Sequence, residues 1–338
     1  MIWETTRACD LACKHCRAEA RPERDPRELT TAEAKRLMDD VRRFGTRVFV
    51  FSGGDVFKRP DVVDLVAHGA AIGLRLAITP ATTPLATPGL LERLRDAGLS
   101  RVAVSLDGSC PEIHDAFRGV DGSFDWALRI LRTSRELGLS TQVNSVIGRH
   151  NLDDLDSLYA LMSEVGIVFW EVFFLVPMGR ARLGDMPDAE AFEQVSHRLY
   201  DFSRTAPFDI KVTAGPQHAR VGLQRQLAER PSGSPGDRPV RGVTEGHGFL
   251  FVSHTGEIYP SGFLPLSAGN VRTHDMVEVY RDSRLFRELR DRSLLRGKCG
   301  VCEFRQVCGG CRARAFAVTG DYLESDPFCA HIPAGYEA

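Results

Sequence analysis

The chain has 338 residues, 43% of them hydrophobic, and its 43 basic and 45 acidic side chains leave a net charge of −2. That length suggests two domains with a sizeable core, the near-neutral balance gives no reason to invoke nucleic acid or a membrane surface, and no apolar run approaches the ~20 residues that span a bilayer. Arg7 and the first cysteine come too early for a secretion signal, so nine cysteines clustered at both ends point to metal binding in the cytoplasm rather than a secreted disulfide scaffold.

The first predicted strand covers residues 2–5. Behind it comes Thr6-Arg7-Ala8-Cys9-Asp10-Leu11-Ala12-Cys13-Lys14-His15-Cys16, with three cysteines spaced C-x₃-C-x₂-C. Three thiolates on one short loop can hold three irons of a [4Fe–4S] cube. The fourth iron is then left without a protein ligand, open to a small molecule. The alternatives are a zinc loop or three unrelated core cysteines. Structural zinc takes four closed ligands, and no fourth Cys or His sits at zinc-finger distance. His15 lies inside the loop, placed to flank a cluster rather than ligate it.

Further strands are predicted over residues 48–52, 74–79, 101–106, 140–147 and 168–176, with helices between them. Leu37, Val41 and Phe44 share one face behind Thr30 and Thr31. Leu90, Leu91 and Leu94 follow Pro88, a good first-turn residue. Ala127, Leu128 and Leu131 follow Ser123, and Leu155, Leu158 and Met162 follow Asn151. This alternation predicts right-handed parallel βαβ units, whose ligands bind beyond the carboxyl ends of the strands. Gly53-Gly54-Asp55 closes the second strand, Ser105 and Asp107 end the fourth, and Asn144 lies on the fifth. The last three either meet polar groups of a ligand or cap the following helices. Cys110 reads as a non-ligating thiol near the barrel mouth. Arg118 is a candidate for a carboxylate, and His114, Asp115 and Glu171 are candidate substrate contacts. Trp170, Phe173 and Phe174 read as barrel wall.

Residues 229–239 are rich in Pro, Gly, Ser and charge without periodicity, which reads as a mobile surface loop or a lid. A hairpin is predicted from residues 249–253 and 257–259 around His254-Thr255-Gly256, and a helix over residues 276–295. Then come Cys299, Cys302, Cys308 and Cys311, spaced C-x₂-C-x₅-C-x₂-C, with Cys329 further on. Paired C-x₂-C motifs also mark zinc ribbons, yet five cysteines exceed what one zinc or one cube needs.

Together these motifs resemble the radical S-adenosylmethionine (SAM) superfamily, whose signature is C-x₃-C-x-φ-C with an aromatic at φ, here His15. A family Gly-Gly-Glu stands here as Gly53-Gly54-Asp55, a departure at its last residue. The segment from Cys299 to Cys329 resembles the SPASM/twitch extension of such enzymes. The resemblance implies an α/β fold: a (βα)₆ partial TIM barrel over residues 1–206, a connecting segment over 207–245, and a small C-terminal α+β iron–sulfur domain over 246–338. It implies two [4Fe–4S] clusters. One is held by Cys9, Cys13 and Cys16 and binds SAM, with His15, Gly53, Gly54, Asp55, Ser105, Asp107 and Asn144 around it. The auxiliary cluster takes Cys299, Cys302, Cys308 and Cys329, with Cys311 left over. Cys311 in place of Cys329 stays open. Only one auxiliary cluster is expected, because no cysteine lies between Cys110 and Cys299 and Ser261 stands where another might.

The implied activity is reductive cleavage of SAM to methionine and a 5′-deoxyadenosyl radical, which takes a hydrogen atom from substrate. A flavodoxin or ferredoxin would supply the electron. Oxidation or decarboxylation of a peptide, a tetrapyrrole propionate or a small natural-product intermediate all fit. The contrasting reading is a non-catalytic zinc-binding regulatory or scaffold protein.

Overall fold

The structure is a computed structural model that describes residues 1–229 and 244–336. Seven strands, β1 (Ile2–Glu4), β2 (Val48–Ser52), β3 (Arg75–Ile78), β4 (Arg101–Ser105), β5 (Ser140–Ile147), β6 (Phe169–Phe174) and β7 (Asp209–Thr213), lie side by side in chain order, all parallel. Three more, β8 (Phe251–Val252), β9 (Glu257–Tyr259) and β10 (Gly269–Asn270), extend the same sheet beyond β1. β8 pairs parallel to β1, and the β8–β9 hairpin and β10 run antiparallel. The order ends at β10 on one side and β7 on the other, so the barrel is open.

Eight helices cover the outside of β1–β7: α1 (Thr31–Arg43), α2 (Val62–Ala71), α3 (Pro88–Asp96), α4 (Pro111–Arg118), α5 (Ser123–Glu136), α6 (Leu155–Val165), α7 (Ala189–Thr205) and α8 (Gln217–Glu229). α1 shows how the sequence sets their ends. Thr30 and Glu33 form a reciprocal capping box, Arg42 and Arg43 occupy the last turn, and Ala34, Leu37, Met38 and Val41 form the buried stripe. Along β2 the period-2 alternation sends Phe49 and Phe51 outward to Trp3 and the helices, and Val50 and Ser52 inward to the barrel cavity.

Four short helices follow the hairpin: α9 (Met276–Asp282), α10 (Arg284–Arg290), α11 (Gly297–Val301) and α12 (Arg312–Thr319). The single helix expected over 276–295 is therefore broken. Ser283 ends α9 and caps α10 through its side chain, and Asp291 caps a final 3₁₀ turn. β7 and α8 lie in the stretch read as a connecting segment. β7 alternates Asp209, Lys211 and Thr213 with Ile210 and Val212, so it carries a strand's period-2 pattern with only two apolar residues to show it. Of residues 229–239, all but the first fall outside the described residues. Among the described residues no helix is long and apolar enough to cross a membrane.

Candidate active site

The cysteine loop between β1 and α1 is stapled to its surroundings by main-chain hydrogen bonds. Gly54 N donates to Thr6 O (2.8 Å) and Asp55 N to Ala8 O (2.6 Å), tying the loop to the end of β2. Lys14 N donates to Phe117 O (2.9 Å) at the end of α4, and Arg180 N to Cys16 O (3.1 Å) from the segment after β6. Glycine is required at the first contact: Gly53 has φ +137°, and a Cβ there would lie 2.4 Å from Thr6 O. A Cβ on Gly54 would lie 2.4 Å from Ala8 O. Cys9, Cys13 and Cys16 all line one cavity of about 670 Å³ inside the barrel, together with His15, Gly53, Gly54, Ser105, Asn144 and Arg118.

The three thiols are supported as cluster ligands are. Leu11 N donates to Cys9 Sγ (3.4 Å), Ala20 N to Cys16 Sγ (3.4 Å) and Arg118 Nη1 to Cys13 Sγ (3.7 Å). Burial pushes the Cys9 thiol up to about 12 and Cys13 upward as well. A bound metal reverses that by stabilising the thiolate. Spacing also bears on which metal fits. Tetrahedral zinc at ~2.3 Å from each sulfur would bring the sulfurs to about 3.8 Å from one another. Among the described residues, the only three Cys, His, Asp or Glu donor atoms lying within 4.8 Å of one another are those of Cys302, Glu303 and His331. The thiols of Cys9, Cys13 and Cys16 are thus spaced more widely than one tetrahedral zinc requires, a spacing that fits a cluster.

The remaining candidates separate into two groups. His15, Ser105 and Asn144 reach the cavity. The His15 ring stacks on Phe117 (4.2 Å between centroids), which stacks on His150 (3.6 Å). Burial lowers His15 to about 3, so it is neutral. Asp55 and Asp107 do not line the cavity. Asp55 accepts from Phe57 N (3.1 Å) and Thr83 Oγ1 (2.7 Å), capping a 3₁₀ turn. Asp107 accepts from Val146 N (2.7 Å) and forms a buried ion pair with Arg118. Burial opposes its charge, but Arg118, the nearby histidines and the Val146 N–H together outweigh this and hold the carboxyl at about 2. Asp107 thus reaches the cavity only through Arg118, the link between this carboxylate and Cys13.

Deeper in the barrel, Glu171 on β6 accepts from Lys211 Nζ (2.7 Å), Thr213 Oγ1 (2.7 Å) and Gln142 Nε2 (3.1 Å), and Gln142 also donates to Asn144 (2.7 Å). His114 and Asp115 lie outside the cavity: His114 accepts from Asp107 N, and Asp115 caps the start of α5. Trp170 and Phe174 are core wall, whereas Phe173 lines the cavity with Phe169, Phe249, Phe251 and Phe263. Arg17 and Arg180 are cavity residues that sequence reasoning missed. Arg17 abuts the cysteine motif, which was a usable signal. Arg180 follows a strand by six residues and carried none.

At the other end of the chain, Cys299, Cys302, Cys308 and Cys329 line a second, small cavity with Gln217, Arg220 and Asp326. Amides donate to Cys299, Cys302 and Cys308: Asp326 N (3.5 Å), Phe304 N (3.4 Å) and Gly310 N (3.4 Å) respectively. Gln217 lies in this wall with neither side-chain atom partnered among the described residues. Cys311 faces elsewhere, toward Glu245 (4.0 Å) and an apolar cluster with Val176, Ala214, Leu264 and Leu289. Cys110 lines neither cavity.

A family model described as the radical SAM superfamily matches residues 3–162. The chain is 41% identical to the AdoMet-dependent heme synthase of Nitratidesulfovibrio vulgaris, over 98% of this chain and 92% of that protein. It is 38% identical to the AdoMet-dependent heme synthase of Methanosarcina barkeri, over 98% and 96%. In fold it is similar to Streptococcus suis SuiB, solved bound to S-adenosylmethionine. The TM-score is 0.71 at 15% identity, covering 98% of this chain and 76% of that one.

Proposed function

This chain belongs to the radical SAM superfamily, and on that premise we propose that it acts on an iron tetrapyrrole, converting propionate side chains to vinyl groups. The near-full-length likeness to two heme synthases carries this reading. The cavity supports it: five phenylalanines and several small apolar residues line about 670 Å³, with Arg17, Arg118 and Arg180 near the cysteine loop. Such a lining suits a flat, largely apolar molecule that carries carboxylates.

When bound, an iron–sulfur cluster and SAM supply the electron and the organic radical that takes a hydrogen atom. Cys9, Cys13 and Cys16 would hold the cluster, and the main chain at Gly53 and Gly54 would hold SAM's methionyl end. His15, Ser105 and Asn144 would line the rest of the SAM site, with Asp107 fixing Arg118 and Asp55 fixing the loop behind it. Loss of a hydrogen atom, CO₂ and one further electron turns a propionate into a vinyl group. That electron needs an acceptor, and Cys299, Cys302, Cys308 and Cys329 would hold one, in a C-terminal auxiliary unit over residues 246–338. A flavodoxin- or ferredoxin-type donor in the cytoplasm would reduce the first cluster.

The test is anaerobic turnover of the reconstituted protein with SAM, a reductant and an iron porphyrin bearing propionates. Each converted side chain should lose CO₂ and two hydrogens by mass. Productive SAM cleavage with unchanged porphyrin overturns the reading.

A further inference from the structure

The cations around the cysteine loop are not alike. Arg17 Nη1 pairs with Glu4 (2.8 Å) and its guanidinium lies 4.5 Å from the centre of the Phe251 ring. Arg118 pairs with Asp107. Arg180 also lines the cavity, but its Nε and Nη2 are buried with no hydrogen-bond partner among the described residues. A guanidinium cannot shed its charge, and leaving buried donors unmade costs their full desolvation. Such a group is completed by an anion that enters the cavity.

From these contacts we propose that Arg180 is a carboxylate anchor for the substrate, taking one propionate of the tetrapyrrole in a charge-assisted, fork-shaped hydrogen bond. This rests on the tetrapyrrole reading above. Two observations set the anchor apart from the end of the site where SAM's carboxylate would lie. Arg180 follows β6, four strands across the sheet from Gly53 and Gly54 at the end of β2. Its loop also carries Met178 and runs on from Phe173, whose ring lies 5.9 Å from Phe263 among the aromatic lining.

The backbone around Arg180 gives the anchor its use. Arg180 N donates to Cys16 O (3.1 Å). Gly179 has φ +59° and is so close to the cysteine loop that a Cβ would lie 2.4 Å from Cys16 O. The backbone that carries the anchor is thus tied directly to the cysteine loop. A carboxylate held by Arg180 keeps a fixed distance from whatever Cys9, Cys13 and Cys16 hold, and such fixed geometry selects which side chain reacts.

The experiment compares reconstituted wild-type protein with Arg180→Met and Arg180→Lys. The probes are an iron porphyrin with free propionates, its methyl ester, and SAM, each titrated anaerobically. Wild type should bind the free acid more tightly than the ester. Arg180→Met should weaken the free acid by roughly 10- to 100-fold and leave the ester and SAM within about threefold. Arg180→Lys should recover part of the loss. If Arg180→Met weakens SAM instead, the guanidinium serves SAM's carboxylate and the proposal is wrong. Equal binding of the free acid by all three proteins also overturns it while leaving the tetrapyrrole reading intact. Failure of wild type to bind either porphyrin sinks that reading, and the anchor with it.

Discussion

Arg314 and Asp326 form a two-pronged ion pair with no solvent exposure on either side chain: Nε to Oδ1 at 2.9 Å and Nη2 to Oδ2 at 2.6 Å. The pair spans the two cavities. Arg314 Nη1 donates to Ala214 O (2.8 Å), a lining residue of the barrel, and Asp326 N donates to Cys299 Sγ (3.5 Å) in the C-terminal site. Asp326 also accepts from Cys311 N (3.0 Å).

Removing one partner leaves the other charged and dry. Asp326→Ala should therefore cost about 3–5 kcal/mol of stability, measured by denaturant unfolding of the metal-free protein. A loss below ~1 kcal/mol, the range of an exposed ion pair, would show that the pair is not buried in solution.

The cysteine assignments separate cleanly by variant. The wild type should reconstitute to about eight irons, two cubes. Cys329→Ala should fall to about four, because Cys329 shares the small cavity with Cys299, Cys302 and Cys308. Cys311→Ala should keep the full complement, because its thiol lies in an apolar cluster and burial pushes it up to about 12. The reverse pattern of iron content would place the fourth ligand at Cys311.

Gly53→Ala should disable the SAM site without unfolding the barrel. The added methyl meets Thr6 O at 2.4 Å, and φ +137° is a conformation alanine rarely adopts. The contact is to backbone, so relief requires moving the cysteine loop. SAM affinity should drop at least about tenfold, a change of about 1.4 kcal/mol, while far-ultraviolet circular dichroism stays as in wild type. Unaltered SAM affinity would remove Gly53 from the site.

These outcomes depend on features that differ in how well the sequence displays them. The strands at Val48–Ser52 and Ser140–Ile147 have the bounds expected from the chain's alternation of short apolar runs with helical stretches, and α1 and α3 begin at their Thr and Pro signals. Cys9, Cys13, Cys16, Gly53 and Gly54 were legible because their spacing is local. Less legible were β7, whose only apolar residues are Ile210 and Val212, and the pairing of β8 with β1, which joins residues some 250 positions apart in the chain. The role of Asp107 was hidden for a different reason: its partner Arg118, though near in sequence, comes back to it only through the packing of α4. Arg180 stands out only once Arg17 and Arg118 are seen to be paired with Glu4 and Asp107.

Acid stability carries a last prediction, because three histidines are kept neutral inside the fold. Burial lowers His15 to about 3 and both His114 and His218 to about 4. The nearby Arg118 charge lowers His15 and His114 further, and His114 Nδ1 accepts from Asp107 N (3.0 Å), a bond only the unprotonated nitrogen can make. Each folded-state value lies below the ordinary histidine range, so from about pH 6.5 down to about 4 the unfolded chain binds more protons than the folded one. Stability is therefore full above that window and falls as pH drops through it, by up to about 3 kcal/mol for each of His114 and His218. Below pH 4 the loss continues, because Asp107, held at about 2, gives up its ion pair as it protonates. Denaturant midpoints of the metal-free protein at pH 7 and pH 5 measure the slope. His114→Asn should lower the slope by removing one titrating group, at some cost in stability at pH 7. A midpoint that stays level between those two pH values would show that these rings are already solvated in the folded protein.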